Sequence, residues 1–194
     1  MEIRDELDEK EAVARMAQGD ISGLETLVYI HQVRAVRAAY LIIQDRGLAE
    51  EVVQAAFIRA FERIAQFDGR RPFAPWFFRS VVNDALKAVQ RNKRTLSLDS
   101  DPDGNGLSWF EKFADSHPGP ENLLEKEETR QAVQDAIQQL PPSQRALIVL
   151  KYYLGMSEAE MVEETDVPAG TVKWRLYMAR KRLRQLLAYL WIDK

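Results

Sequence analysis

Apolar positions recur every three to four residues along most of the chain, and no stretch of useful length alternates with period two. The fold class this predicts is all-α. Between Ile21 and Ile43, Leu24, Leu27, Val28, Val33, Val36 and Tyr40 form the inward stripe of one helix. From Ala49 to Ala65 a broader stripe combines Val52, Val53, Ala56, Phe57, Ala60, Phe61 and Ile64, and the other face carries Glu50, Glu51, Gln54, Arg59, Glu62 and Arg63. Gly69 and Pro72 make Phe67 to Ala74 a loop, and Pro75 suits the first turn of a helix running to about Arg94. On that helix Phe77, Phe78, Val81, Val82, Ala85, Leu86 and Val89 face a core, with Arg79, Asn83, Lys87, Gln90, Arg91 and Arg94 outward.

The pattern breaks at Asp101 to Gly106 and again at His117 to Pro120, both dense in turn formers. Residues 96–120 thus read as a flexible acidic linker between two helical domains, 1–95 and 121–194. Within it Trp109, Phe110 and Phe113 form an apolar cluster expected to dock on the chain's own domains or on a partner. Past the linker, Glu121 to Gln139 reads as a helix stopped by Leu140-Pro141-Pro142, and Ser143 to Leu154 as a second with Gly155 after its end. Ser157 and Glu160 form a capping box opening a short helix to Thr165. A tight turn, Asp166-Val167-Pro168, leads into a helix from Ala169 to about Ile192. There Val172, Leu176, Ala179, Leu183 and Leu186 recur at spacings of four and three and face inward. Lys173, Trp174, Tyr177, Lys181 and Arg184 lie on other faces. Two short helices, a tight turn and a basic second helix predict a helix-turn-helix.

Composition narrows the chemistry. The 194 residues suffice for one to two domains, and 46% hydrophobic with 29% charged residues is ordinary globular usage. No apolar run approaches the roughly 20 residues that span a bilayer, and the acidic Met1 to Lys10 is unlike a secretion signal, so a cytoplasmic protein without membrane insertion is expected. The chain has no cysteine and only His31 and His117 as imidazoles. That argues against disulfides, thiolate chemistry, metal sites, a cofactor and a Ser-His-Asp hydrolase, and so against an enzyme. The net charge of −3 conceals segregation by segment. Met1 to Glu11 has six acids against two bases, and Asp99 to Glu128 nine against two. Gly69 to Arg94 has seven bases against Asp84 alone, and Thr171 to Leu187 has six bases and no acid. Two separate cationic segments suggest two places for a polyanion to dock. In the first, the Trp/Phe-rich loop beside the basic helix suits single-stranded nucleic acid, whose bases stack on aromatic rings; the alternative is that Phe73, Trp76, Phe77 and Phe78 are core aromatics, which suits Phe77 and Phe78 best.

Four motifs in order, Glu50-Glu51-Val52-Val53-Gln54-Ala55-Ala56-Phe57-Ile58-Arg59-Ala60-Phe61, then Phe73-Ala74-Pro75-Trp76-Phe77-Phe78-Arg79 with Asn83, then Leu140-Pro141-Pro142-Ser143-Gln144-Arg145, then Pro168-Ala169-Gly170-Thr171-Val172-Lys173-Trp174-Arg175-Leu176, resemble the extracytoplasmic-function (ECF) group of bacterial sigma factors. The resemblance covers nearly the whole chain. It implies that the first domain is sigma region 2 and the second region 4, with RNA polymerase core, promoter DNA and an anti-sigma factor as partners. It places Glu51, Gln54 and Arg59 against the clamp helices of the β′ subunit, with the β flap as a further contact on the core polymerase. Phe67, Arg70, Arg71, Phe73, Trp76 and Arg79 would capture a flipped base of the −10 non-template strand, with Asn83, Lys87 and Arg91 along its upstream edge. Flipping costs a few kcal/mol, which a pocket and a cationic track can offset. Thr171, Lys173, Trp174, Arg175 and Tyr177 would read the −35 element, with Arg180 and Arg184 near phosphates. The acidic linker would pass near the RNA exit path, its charge mimicking RNA.

Some positions depart from the family's habit. Trp174 stands where a small polar residue is usual, Tyr177 where His is common and Met178 where Arg is common, so the usual −35 preference does not carry over. Leu48 replaces a frequent Asp, which is expected to weaken a helix cap, and Lys87 replaces another, adding charge near DNA. The competing reading is a stand-alone helix-turn-helix regulator whose first block senses a ligand or dimerises. A recombinase with a DNA-binding tail lacks any evident Ser or carboxylate constellation.

Overall fold

The computed structural model describes residues 2–95, 123–165 and 167–191, and the regular structure among them is entirely helical. Helix α1 spans Glu2–Ala17, α2 Ile21–Ile43, α3 Arg46–Glu62 and α4 Phe73–Thr95, with a 3-10 turn at Ile64–Gln66. Then α5 covers Leu123–Gln138 and α6 Pro142–Ile148, followed by a π turn at Val149–Tyr153. Helices α7, Glu158–Thr165, and α8, Ala169–Leu186, precede a 3-10 turn at Ala188–Trp191. The linker, its Trp109, Phe110 and Phe113 cluster, and Asp166 of the tight turn lie outside the described residues.

Local chemistry sets these ends. Asp20 accepts from the Ser22 N–H at 2.9 Å and starts α2. Helix α3 begins three residues before the expected Ala49 because Asp45 caps it, accepting from the Leu48 N–H at 2.9 Å. The cap expected to be weakened at Leu48 is thus supplied upstream, and Leu48 sits inside the first turn. Helix α4 opens at Phe73 rather than Pro75, which falls in its first turn. The capping box is formed: the Glu160 N–H donates to Ser157 Oγ at 3.2 Å, and the Ser157 N–H to Glu160 Oε2 at 2.7 Å. Those hydrogen bonds hold the Glu160 carboxyl below its ordinary pKa. After the π turn Gly155 takes φ 75°, where a side chain would be strained. Helix α8 ends at Leu186, short of Ile192.

Helix α1 is dominated by charged residues, yet Ala12 and Met16 are buried against α2. The helices approach closely at Gly23, where a Cβ would lie 2.3 Å from the Ala12 carbonyl oxygen. Helices α2, α3 and α4 complete the first bundle around stacked rings, Phe57 and Phe77 at 4.4 Å between centroids and Phe73 and Phe77 at 5.6 Å. Val33, expected inward, is instead 42% exposed at the lip of a groove. In the second bundle α8 packs on α6 and α7.

The two bundles touch. Helices α6 and α7 lie on α4, while α5, α6 and the π turn lie on α2, so one buried apolar cluster runs from Ala12 through Phe77 to Leu176. Arginines fasten the seam to carbonyls that helix ends leave without intrahelical donors. Buried Arg145 donates from Nη1 to the Ile42 carbonyl at 3.0 Å and from Nη2 to that of Leu140 at 3.3 Å. Burial lowers its pKa. Arg34 donates to the Leu154 carbonyl at 2.8 Å with its guanidinium over the Phe78 ring, and Gln44 Nε2 to the Gln138 carbonyl at 3.1 Å.

Candidate nucleic-acid interfaces

The first cationic surface is built where α3 runs into α4. A cavity of about 570 Å³ there is lined by Arg59, Arg63 and Gln66 from the α3 side and by Trp76, Arg79, Ser80, Asn83, Asp84 and Lys87 from α4. Residues 76, 79/80, 83 and 87 stand one turn apart, which is why one helix can line the cavity along its length. Asp84 is the acid within it, ion-paired with Arg59 and 3.5 Å from Lys87 Nζ. Trp76, which lines the cavity, packs in an aromatic triangle with Phe67 at 5.1 Å and Phe73 at 5.6 Å. Phe67 and Trp76 are half-buried, but Phe73 is 2% exposed. It therefore belongs to the core and has no ring face left to offer a base, correcting its expected place at the −10 surface.

Glu9 of α1 positions this region from upstream. One carboxylate oxygen lies 2.7 Å from His31 Nε2, and the other accepts from the Phe73 N–H at 3.2 Å, at the start of α4. His31 sits among the rings of Phe73, Phe77 and Phe78.

The cavity's rim meets the second bundle. Glu164 of α7, only 2% exposed, accepts from Arg71 and, at 3.3 Å, from Arg79 Nη1. Glu163 also lies 3.2 Å from Arg71 Nη2. Arg70 stays on the exposed loop, its N–H donating to Asp68 Oδ1 at 3.1 Å, and Arg91 is exposed farther along α4.

The second cationic surface is the outer side of α8. Val172, Leu176 and Ala179 are buried, which turns Lys173, Trp174 and Tyr177 to solvent, with Thr171 and Arg175 partly covered beside them. Arg180 Nη2 lies 3.8 Å from Glu158, and Arg184 is exposed in the last turn. A third surface is apolar: a groove of about 650 Å³ between α2 and α3, lined by Val28, Val33, Val53, Gln54, Phe57 and Ile58 among others. Val33 and Ile58 are exposed there.

Residues 27–95 match the sigma-70 region 2 family and residues 130–183 match sigma-70 region 4. The chain is 30% identical over 179 residues to the ECF RNA polymerase sigma factor SigW of Bacillus subtilis, covering 92% of this chain and 96% of that one. It is 33% identical over 186 residues to the ECF RNA polymerase sigma-E factor of Escherichia coli K12, covering 93% and 95%. The chain belongs to the ECF RNA polymerase sigma factors. The sigma factor RpoE of Bartonella quintana, solved with the anti-sigma factor NepR, shares its fold with a TM-score of 0.61 at 22% identity, covering 84% of this chain and 96% of that one.

In this sigma factor the region 2 match takes in the cavity, most of the groove and Arg71, and the region 4 match takes in Glu164 and most of α8. The residues expected at β′ do not stay together. Glu51 and Gln54 are exposed on α3, whereas Arg59 turns to α4 and joins the cavity with Trp76, Arg79, Asn83 and Lys87. Arg63 lines the same cavity and Ile58 the groove, though sequence reasoning singled out neither for a role. Arg63 was legible as a cation on the polar face of α3; Ile58 gave only the signal of an apolar residue off the inward stripe. Among the described residues, no helix is long and apolar enough to cross a membrane.

Proposed function

We propose that this ECF sigma factor reads promoters in two places, through residues 1–95 at the −10 element and residues 121–194 at the −35 element, with 96–120 as the tether. The observation that carries the reading is the presence of two cationic, aromatic-bearing surfaces on one chain, the α3–α4 cavity and the outer face of α8. The cavity suits one flipped base, with Trp76 as its flat wall and Arg59, Arg63, Asn83 and Lys87 along the strand. Arg70 and Arg71 serve the same strand from the loop. On α8, Lys173 and Arg175 meet base edges or phosphates through the first turns, and Arg180 and Arg184 meet phosphates.

The β′ clamp helices dock in the α2–α3 groove, where Gln54 and Ile58 give a polar and an apolar contact and Glu51 lies alongside. The second domain takes the β flap. The chain contributes no reaction of its own, because the polymerase holds the active site, and it works in the cytoplasm beside that enzyme. Glu164 compensates the charge of Arg71 and Arg79 and ties both to the second bundle, so the closed arrangement is the resting form and promoter binding is favoured by its opening. An anti-sigma factor, the kind of partner seen on the Bartonella relative, acts by prolonging closure.

Run-off transcription with purified core polymerase tests the reading. A promoter-dependent transcript is expected only when this chain is added; none from any of its candidate promoters rejects it. Gln54→Ala with Ile58→Glu is expected to weaken capture of core polymerase at least about tenfold with helicity unchanged, since a charge then faces a desolvated apolar contact.

A further inference from the structure

Helix α8 holds two large aromatic side chains in the open. Trp174 and Tyr177 are each 60% exposed and, three residues apart, stand side by side about one turn along the helix. The opposite face already fills the core with Val172, Leu176 and Ala179, so neither ring is needed for packing. Around them Thr171 to Leu187 carries six cations and no acid, a charge that favours a polyanion over an apolar protein surface as the occupant. In the major groove these rings have little to say in hydrogen bonds. Tryptophan has one N–H and tyrosine one O–H, and neither can make the paired contacts by which Arg reads guanine or Asn reads adenine. What a flat apolar face can recognise there is the one apolar group the groove displays, the C5 methyl of thymine.

We infer that Trp174 and Tyr177 select thymine in the upstream duplex element through its methyl group, making them specificity-determining residues that act by apolar contact. The inference rests on the proposal that α8 enters the major groove of the −35 element. Lys173 and Arg175 then supply affinity and hydrogen bonds, and the two rings supply the discrimination for thymine.

The test uses holoenzyme reconstituted from this chain and core polymerase. A −35 element is selected from duplexes randomised at that position, and each selected thymine is then replaced singly by deoxyuridine, which lacks only the methyl. At one or two positions the replacement is expected to weaken competition about four-fold, the effect of leaving one methyl unburied. That penalty should vanish in Trp174→Ala or Tyr177→Ala and survive in Trp174→Phe, which keeps a flat face. Lys173→Ala should weaken both duplexes alike and leave their ratio unchanged. A selected element without thymine, or a deoxyuridine penalty identical in the wild type and both alanine variants, overturns the inference while leaving promoter reading intact. If the holoenzyme selects no upstream element at all, the parent reading of α8 fails and this one with it.

Discussion

The two cationic surfaces differ less in charge than in what already occupies them. Around the α3–α4 cavity, Arg59 is paired with Asp84, Lys87 lies near the same carboxylate, and Arg71 and Arg79 reach Glu164. On α8, Lys173, Trp174 and Tyr177 face solvent. A guanidinium engaged by a buried carboxylate offers a phosphate only its remaining N–H donors and a largely compensated charge, whereas an exposed lysine gives up only water and counterions. One surface is therefore governed by the conformation of the whole chain and the other by local sequence alone.

The sharpest way to break that contrast is to remove what both surfaces share. Phe77 is fully buried between Phe57 and Phe73 in the common core. Phe77→Ala is expected to cost about 3–5 kcal/mol in urea unfolding and to impair both surfaces together. Loss of only one would mean that the bundles fold independently. Glu164→Gln separates the surfaces. It removes the charge that holds Arg71 and Arg79, raises the competent fraction, and should strengthen binding of a −10 single strand by about tenfold with −35 duplex binding unchanged. Equal binding by variant and wild type in fluorescence anisotropy would show that closure does not compete with DNA.

Smaller changes sharpen the picture. Ser157→Ala strips the cap from the helix that carries Glu164, and about 1 kcal/mol of stability should go with it at neutral pH. Since the Ser157 hydrogen bonds lower the Glu160 pKa, their stabilisation is full above the ordinary value of 4.5 and disappears as pH falls through the lower folded value. Thermal melts of variant and wild type should accordingly draw closer in acid without meeting, since the Glu160 N–H to Ser157 Oγ bond does not titrate; a gap that widens there contradicts the assignment. Asp84→Asn should have the mildest effect. It frees Arg59 and removes the acid from the cavity, so single-strand affinity should rise about three-fold at low salt and less at high salt.

Much of this arrangement was legible in the residues. Helices α2, α4 and α8 announce themselves by apolar spacing, and the Ser157–Glu160 box by its residue types. Helix α1 does not, because its buried side is narrow, with Ala12 and Met16 beneath a run of acids. Phe73 misleads for a different reason: an aromatic beside cations looks the same in a string of letters whether its ring faces a base or Phe77. Arg59 stands five residues from Gln54, about 140° round α3 at 3.6 residues per turn, so the two cannot share a face, and Arg59 turns to Asp84 instead. The docking of the bundles leaves no apolar signature at its edges, since Arg34, Gln44 and Arg145 secure it through backbone carbonyls that any sequence possesses.

Glu9 has a practical consequence. It lies 18 residues ahead of the stretch that matches region 2, which begins at residue 27, yet its carboxylate receives the first N–H of α4 and touches the imidazole beneath the ring cluster. A fragment trimmed to the family boundary would lose that anchor, and with it the register of the loop that leads into the cavity. Binding data from such a fragment would describe a slackened pocket, and residual affinity for single strands would understate what the intact chain achieves.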